Sequence, residues 1–142
     1  MEISDVRRRV QAAMTLARER ARVRRERSDT AEKAYGDFLD SVAAPLARQL
    51  VSVLKAEGYT FSVSTPGRGL KVSLDRSRDD FIEIVLRTDS EEPQVFGHIR
   101  RTRGSQTIDE ERPVKPGSSP QDLTEDDLLD FLTGALEPWL ER

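Results

Sequence analysis

The residues with the most distinctive chemistry are six arginines within ten positions, in RERARVRRER at residues 18–27. Guanidinium groups are permanently charged, and their forked donors fit phosphates and carboxylates equally well. Because each phosphate contact releases counterions, a helix with this run could bind a nucleic-acid backbone without reading its sequence. The alternative is that the arginines only keep a helix solvated, as long charge runs commonly do. The candidate polyanion-binding residues are Arg18, Arg20, Arg22, Arg24, Arg25 and Arg27.

Apolar residues at steps of three and four precede this run, which places them on one side of a helix. An apolar stripe on an otherwise polar helix is typical of a helix that packs on another chain. We therefore predict that the chain self-associates, as a dimer, through this stripe. Because small alanines add little buried area, the contact is expected to be weak. The predicted interface residues are Ile3, Val6, Val10, Ala13 and Ala17.

Charge is unevenly distributed along the chain. Residues 1–28 hold nine arginines and four acids, a net charge of +5, so the rest of the chain carries −8 of the total of −3. A basic arm on an acidic body can bind polyanions, or it can pair with acidic protein surface. We predict a basic helical extension at residues 1–28 and an α+β domain at residues 29–142.

Groups that could support catalysis or bind a metal are few. Cysteine is absent and His98 is the one histidine, without a second metal ligand or a nucleophile in a recognisable context. Four acids surround one turn, and we interpret them as turn and surface residues rather than as a metal site. We accordingly predict no catalytic residue, no cofactor and no metal. The four acids are Asp75, Asp79, Asp80 and Glu83.

A second basic cluster lies at the tip of the last predicted hairpin. Its arginines face a strand that is rich in acids, so cross-strand charge pairing explains both sets without a ligand. The arginines are Arg100, Arg101 and Arg103, and the acids are Asp109, Glu110 and Glu111.

Two helical segments are predicted before the strands. Asp29 with Glu32 resembles a capping box, which would start a second helix after a joint near Ser28; one unbroken helix is the alternative. The second apolar stripe runs from Ala31 to Leu54 and keeps its phase across Pro45, which predicts a kinked but continuous helix. Gly58 is well placed to end it.

Alternating apolar and polar residues then predict four to five short antiparallel strands. A proline- and serine-rich connector at residues 113–120 leads to a last helix, which Thr124 and Asp127 would cap. The fold class is therefore α+β, with long N-terminal helices, an antiparallel β-meander and a C-terminal helix packed on one sheet face. The expected large core residues are Phe38, Leu50, Phe61, Phe131 and Trp139.

Three functions remain open at this point. We favour a non-enzymatic assembly or protein-interaction domain, with nucleic-acid binding by the arginine run as the alternative and an enzyme of unknown reaction as the second alternative. No apolar run is long enough to span a bilayer and the N-terminus lacks an apolar signal segment. We therefore expect a cytoplasmic protein that homodimerises, contacts a protein partner and has no membrane partner.

Overall fold

The computed structural model describes residues 1–90 and 92–141. Two residues lie outside this description: Glu91, in the polar segment 89–94 that the sequence places between two predicted strands, and Arg142, at the end of the predicted domain 29–142. Three helices and five strands follow one another as α1 (Ile3–Phe38), α2 (Ala44–Ala56), β1 (Phe61–Ser64), β2 (Leu70–Leu74), β3 (Phe81–Arg87), β4 (Gln94–Arg103), β5 (Gln106–Pro113) and α3 (Glu125–Leu140). The predicted α+β class is confirmed.

Helix α1 is a single helix of 36 residues that passes through Ser28 and Asp29 without a break. The alternative of one unbroken helix is therefore confirmed, and the predicted capping box of Asp29 and Glu32 is wrong. Asp29 lies in mid-helix, where the backbone N–H groups that a cap would bind already have helical partners. The predicted boundary at residue 28 falls inside α1.

A π-helical segment, Leu39–Ala43, joins α1 to α2. Its wider turn is marked by the Ala44 N–H, which donates to the carbonyl of Leu39, five residues back. Pro45 follows directly and has no N–H to donate, and in a regular α-helix its ring would crowd the carbonyl of Ser41. The π turn thus lets the helical path continue through the proline, as the phase of the apolar stripe predicted.

Helix α2 ends at a left-handed glycine, as predicted. Gly58 has φ +94°, and its N–H donates to the Lys55 carbonyl at 3.1 Å. The Tyr59 N–H donates to the Leu54 carbonyl at 2.8 Å. These two bonds make a Schellman motif, which satisfies the last carbonyls of the helix and turns the chain into the sheet.

The five strands form one antiparallel meander in the order β1-β2-β3-β4-β5. Its register places Val72, Ile82 and Ile99 side by side on one face. The same register places Lys71, Glu83 and His98 side by side on the other face. The inner face is therefore apolar, as alternation in an antiparallel sheet predicts, whereas the outer face is mainly polar but also carries Phe81 and Phe96.

The helices cover the inner face. Thr124 and Asp127 form the predicted capping box at the start of α3, and the Trp139 ring lies edge-on to Phe61 with ring centroids 5.9 Å apart. The ring of Phe131 fills the space above Gly97, which has no side chain of its own. Four of the five predicted core residues are buried, whereas Leu50 is only partly buried against the cluster.

Candidate functional site

The first half of α1 projects from the folded body. Within residues 1–20 every side chain is exposed except the half-buried Asp5, and the first buried residue of the helix is Ala31. At 1.5 Å per residue this projecting part is about 30 Å long. Residues 120–122, a 3₁₀ turn, contact α1 further along, where Val23 and Thr30 line the same groove as Pro120.

The projecting part carries an apolar edge, which we define as Ile3, Val6, Val10, Ala13, Met14 and Ala17. The exposed fractions are 77% for Ile3, 46% for Val6, 51% for Val10 and 45% for Met14. All five residues of the predicted stripe thus lie together on one exposed surface. Met14 was missed, although its position four residues after Val10 and three before Ala17 places it on the same side.

The apolar edge faces the same side of α1 as the residues that pack on the body. Ala13 and Ala31, like Ala17 and Tyr35, are 18 residues apart. Eighteen residues make about five turns, so each pair shares a direction on a regular helix. Ala31 and Tyr35 are both 2% exposed. A helix packed on the apolar edge would therefore lie on the body's side of α1.

No protein-family model, curated protein or solved structure matches this chain in the comparisons.

The arginine run lies directly after the apolar edge, and one of its members is held by ion pairs. Arg22 pairs with Glu19 at 2.5 Å and with Glu26 at 2.6 Å, on the exposed helix surface. The hydrogen bond to Arg22, followed by the charge of Arg22, lowers the pKa of Glu19. Within residues 1–90 and 92–141, no ion pair was found for the other five arginines, which are Arg18, Arg20, Arg24, Arg25 and Arg27.

The arginines form two lines along the helix, one on each side of Ala21. The positions 18, 22 and 25 make one line and the positions 20, 24 and 27 make the other, since residues three and four apart are neighbours on a helix. A helix packed on the apolar edge would therefore have positive charge on both flanks as it approached the body.

The outer face of the sheet holds the one histidine. The Asp109 Oδ1 atom lies 2.7 Å from His98 Nε2 and accepts a hydrogen bond from Arg100 Nε at 2.8 Å. The bond from Arg100, followed by that from His98, lowers the pKa of Asp109. The edge of the His98 ring faces Phe81, with centroids 5.4 Å apart. Asp109 orients the imidazole, but the same carboxylate oxygen also binds a guanidinium, as expected of a charge ladder across strands.

The predicted cross-strand pairing of the second basic cluster with acids is correct only for Arg100. Arg100 faces Asp109, but Arg101 faces Ile108 and Arg103 faces Gln106. The other two acids of β5 bind different arginines: Glu111 pairs with Arg87 and Glu110 with Arg112. The prediction for Arg101 and Arg103 is wrong because the register sets which residues oppose one another, and the hairpin turn fixes that register.

Asp80 is not a surface residue, and this expectation is wrong. The carboxylate is 3% exposed. It accepts hydrogen bonds from the Thr102 N–H at 3.0 Å, the Thr102 hydroxyl at 2.7 Å and the Trp139 Nε1 at 3.0 Å. Burial raises the pKa of Asp80, but hydrogen bonds from Ser77, Thr102 and Trp139 outweigh burial and lower the pKa to about 2. The carboxylate joins the β2–β3 turn to β4 and α3, which is a structural role.

Two open grooves flank the middle of α1. One, of about 610 Å³, lies between α1 and the segments 92–94 and 117–122. The other, of about 850 Å³, lies between α1 and the β1–β2 turn, and five of its sixteen lining residues are acids. In the described parts of the chain no group of three or more His, Asp or Glu residues could hold a metal ion. Nor does any helix within residues 1–90 and 92–141 combine the length and apolarity that crossing a membrane requires.

Proposed function

We propose that this protein is a non-enzymatic assembly domain that pairs with a second copy of itself through the apolar edge of α1. The main support is that four large apolar side chains on one side of the projecting helix are exposed, with exposed fractions of 45–77%. The body has already buried most of its own large apolar residues in one core, although Val53 and Leu140 are exposed. Clustered apolar surface on a polar helix is typical of a protein-interaction site.

The length of the projecting part supports the same proposal. Helices in proteins owe most of their stability to packing of an apolar face, and an isolated helix of about 15 residues is marginal in water. Residues 1–20 contain no buried residue, so the body stabilises this part only through its continuity with the anchored half of α1. A second copy on the apolar edge would supply the missing packing.

The expected association is weak, because each copy contributes only four large side chains and the alanines bury little area. Burying a large apolar side chain completely is worth about 1.5–3 kcal/mol, and all of them except Ile3 are already about half covered. Association also has an entropic cost of at least about 4 kcal/mol. The dimer should therefore be sought up to concentrations on the order of 100 µM or higher.

Multi-angle light scattering on wild type, Val10→Ser and Leu16→Ser tests this proposal. Val10 and Leu16 are 51% and 50% exposed, but Leu16 lies six residues on, about 120° away from Val10 around the helix. The two variants thus remove matched exposed side chains on and off the apolar edge. We expect wild type and Leu16→Ser to approach the mass of two chains with rising concentration, while Val10→Ser remains at the mass of one. Equal masses for the two variants, or a wild type that stays monomeric, would contradict the proposal.

Nucleic-acid binding is the second candidate, favoured by the five arginines outside the ion pairs of Arg22. Such binding would be insensitive to sequence, because the run contains no asparagine or glutamine to read a base. A salt titration against duplex and single strands tests it. Binding with a steep salt dependence, lost in Arg24→Gln/Arg25→Gln and retained in Val10→Ser, would favour this candidate over assembly.

An enzyme is the least supported candidate, because His98 and Asp109 sit on an open sheet face and share their hydrogen bonds with Arg100. A cytoplasmic location and a further protein partner belong to the same proposal of an assembly domain.

A further inference from the structure

We infer that the two α1 helices of the dimer run antiparallel, with each residue i facing residue 27 − i of the second copy. This inference rests on the proposed function, since it specifies how the apolar edges meet. It places the two-fold axis between Ala13 and Met14, and it pairs Val10 with Ala17 and Val6 with Ala21 of the second copy.

Side-chain size supports this register. Val6, Val10 and Met14 each face an alanine of the second copy, namely Ala21, Ala17 and Ala13 respectively. Large side chains opposite small ones allow two helices to approach closely without leaving holes. Every large member of the apolar edge except Ile3 is then matched with an alanine.

Charge supports the antiparallel direction. Residues 18–27 hold six arginines and two acids, so a parallel pair would set two runs of net charge +4 side by side. In the antiparallel register the centres of the two runs are about 27 Å apart along the axis, well beyond the screening length of about 8 Å at physiological salt. Residues 1–9, which then lie beside the partner's arginine run, hold two acids and three arginines, a net charge of +1 rather than +4, and Glu2 faces Arg25.

The body limits how far the helices can overlap. In this register the first residue of one copy reaches the level of Glu26 of the other. Five residues further on lies Ala31, which is 2% exposed because the body covers the same side of α1 that carries the apolar edge. A larger overlap would drive the N-terminus of the second copy into the body. A smaller overlap would place large side chains opposite one another: if residue i faced residue 20 − i, for example, Val6 would face Met14 and Val10 would face Val10 of the second copy.

Disulfide cross-linking in the full chain tests the register, and the absence of native cysteine makes each product unambiguous. Val6→Cys and Ala21→Cys, made as separate proteins with different tags, are mixed and oxidised. Because a disulfide needs Cβ atoms within about 4.5 Å, we expect the mixed 6–21 disulfide to exceed either homodisulfide by about tenfold or more. A Val10→Cys protein, oxidised alone, should cross-link poorly because residue 10 faces residue 17.

The outcomes separate the register from the association itself. Dominant 6–6 and 21–21 products would show a parallel pair and overturn the inference. Efficient self-cross-linking of Val10→Cys would show a shifted register and would also overturn it. A dimer by light scattering that gives no cross-link would reject the register but keep the proposed function. A monomer without cross-links would reject both.

Discussion

Replacing Asp80 by Asn should destabilise the fold in a pH-dependent way. The pKa of the buried carboxylate is about 2 in the folded protein against 3.8 for a free side chain. A difference of about 1.8 units corresponds to about 2–3 kcal/mol of folding free energy at neutral pH. Because the folded-state pKa is depressed, this stabilisation is fully present above the unfolded pKa and is lost as the pH falls from about 4 towards 2. Asn keeps the shape and can still accept from Thr102 and Trp139, but it cannot carry the charge.

Urea unfolding of wild type and Asp80→Asn at several pH values between 2.5 and 7 measures this effect. The difference in unfolding free energy should be about 2–3 kcal/mol at pH 7 and should shrink towards zero at the acidic end. Asp79→Asn is the matched control, because Asp79 is the exposed neighbour in the same turn. It should change stability by less than about 0.5 kcal/mol. A constant difference across the pH range, or equal stability of the two variants, would refute the role given to Asp80.

Three further variants test the packing around the sheet, each by urea unfolding. Gly97→Ala places a Cβ 2.0 Å from the tip of the Phe131 ring and should destabilise by about 1–3 kcal/mol, with partial recovery when Phe131→Leu is added; no recovery would contradict the clash. Tyr35→Phe removes the hydrogen bond to the Ile84 carbonyl and should cost about 1 kcal/mol near pH 7. Burial raises the pKa of Tyr35, so wild type should lose stability as the pH rises above 10 and the gap to Tyr35→Phe should narrow; a gap that stays constant would contradict this. Thr124→Ala removes the N-cap of α3 and should cost about 1 kcal/mol, and an unchanged stability would contradict its capping role.

Local signals in the sequence were sufficient to predict the strands, the C-terminal end of α2 and the N-terminal end of α3. Alternation fixes which strand residues face the core, and Gly58 and the Thr124 capping box act within a few residues of themselves. The same kind of signal failed at Asp29 and Glu32, because a capping box also resembles ordinary polar residues in mid-helix. What distinguishes a helix start from the middle of a helix here is that α1 remains packed on the body from the buried Ala31 back to the half-buried Val23.

Asp80 could not be assigned from its neighbours in sequence. Its hydrogen-bond donors are Thr102 and Trp139, which are 22 and 59 residues away. Burial of a carboxylate is stabilising only when such donors converge on it, and their convergence depends on the tertiary fold. The predicted pairing of Arg101 and Arg103 with acids was wrong for a related reason. The strand register, and not the composition of the strands, decides which residues face these arginines.

The apolar edge itself was predictable, because period and residue type are enough to place Ile3, Val6 and Val10 on one side of a helix. Its exposure was not, since the sequence does not say how much of α1 the body covers. The stripe could have packed on the chain's own sheet, and the structure shows instead that it projects.

Hydrogen exchange of the full chain, measured by mass spectrometry at about 5 µM and about 500 µM, tests the pairing of α1 most directly. If the apolar edge is the site where two copies meet, amides within residues 5–20 should exchange more slowly at the higher concentration, while those of the sheet and α3 stay unchanged. Exchange in residues 5–20 that is the same at both concentrations would contradict the account.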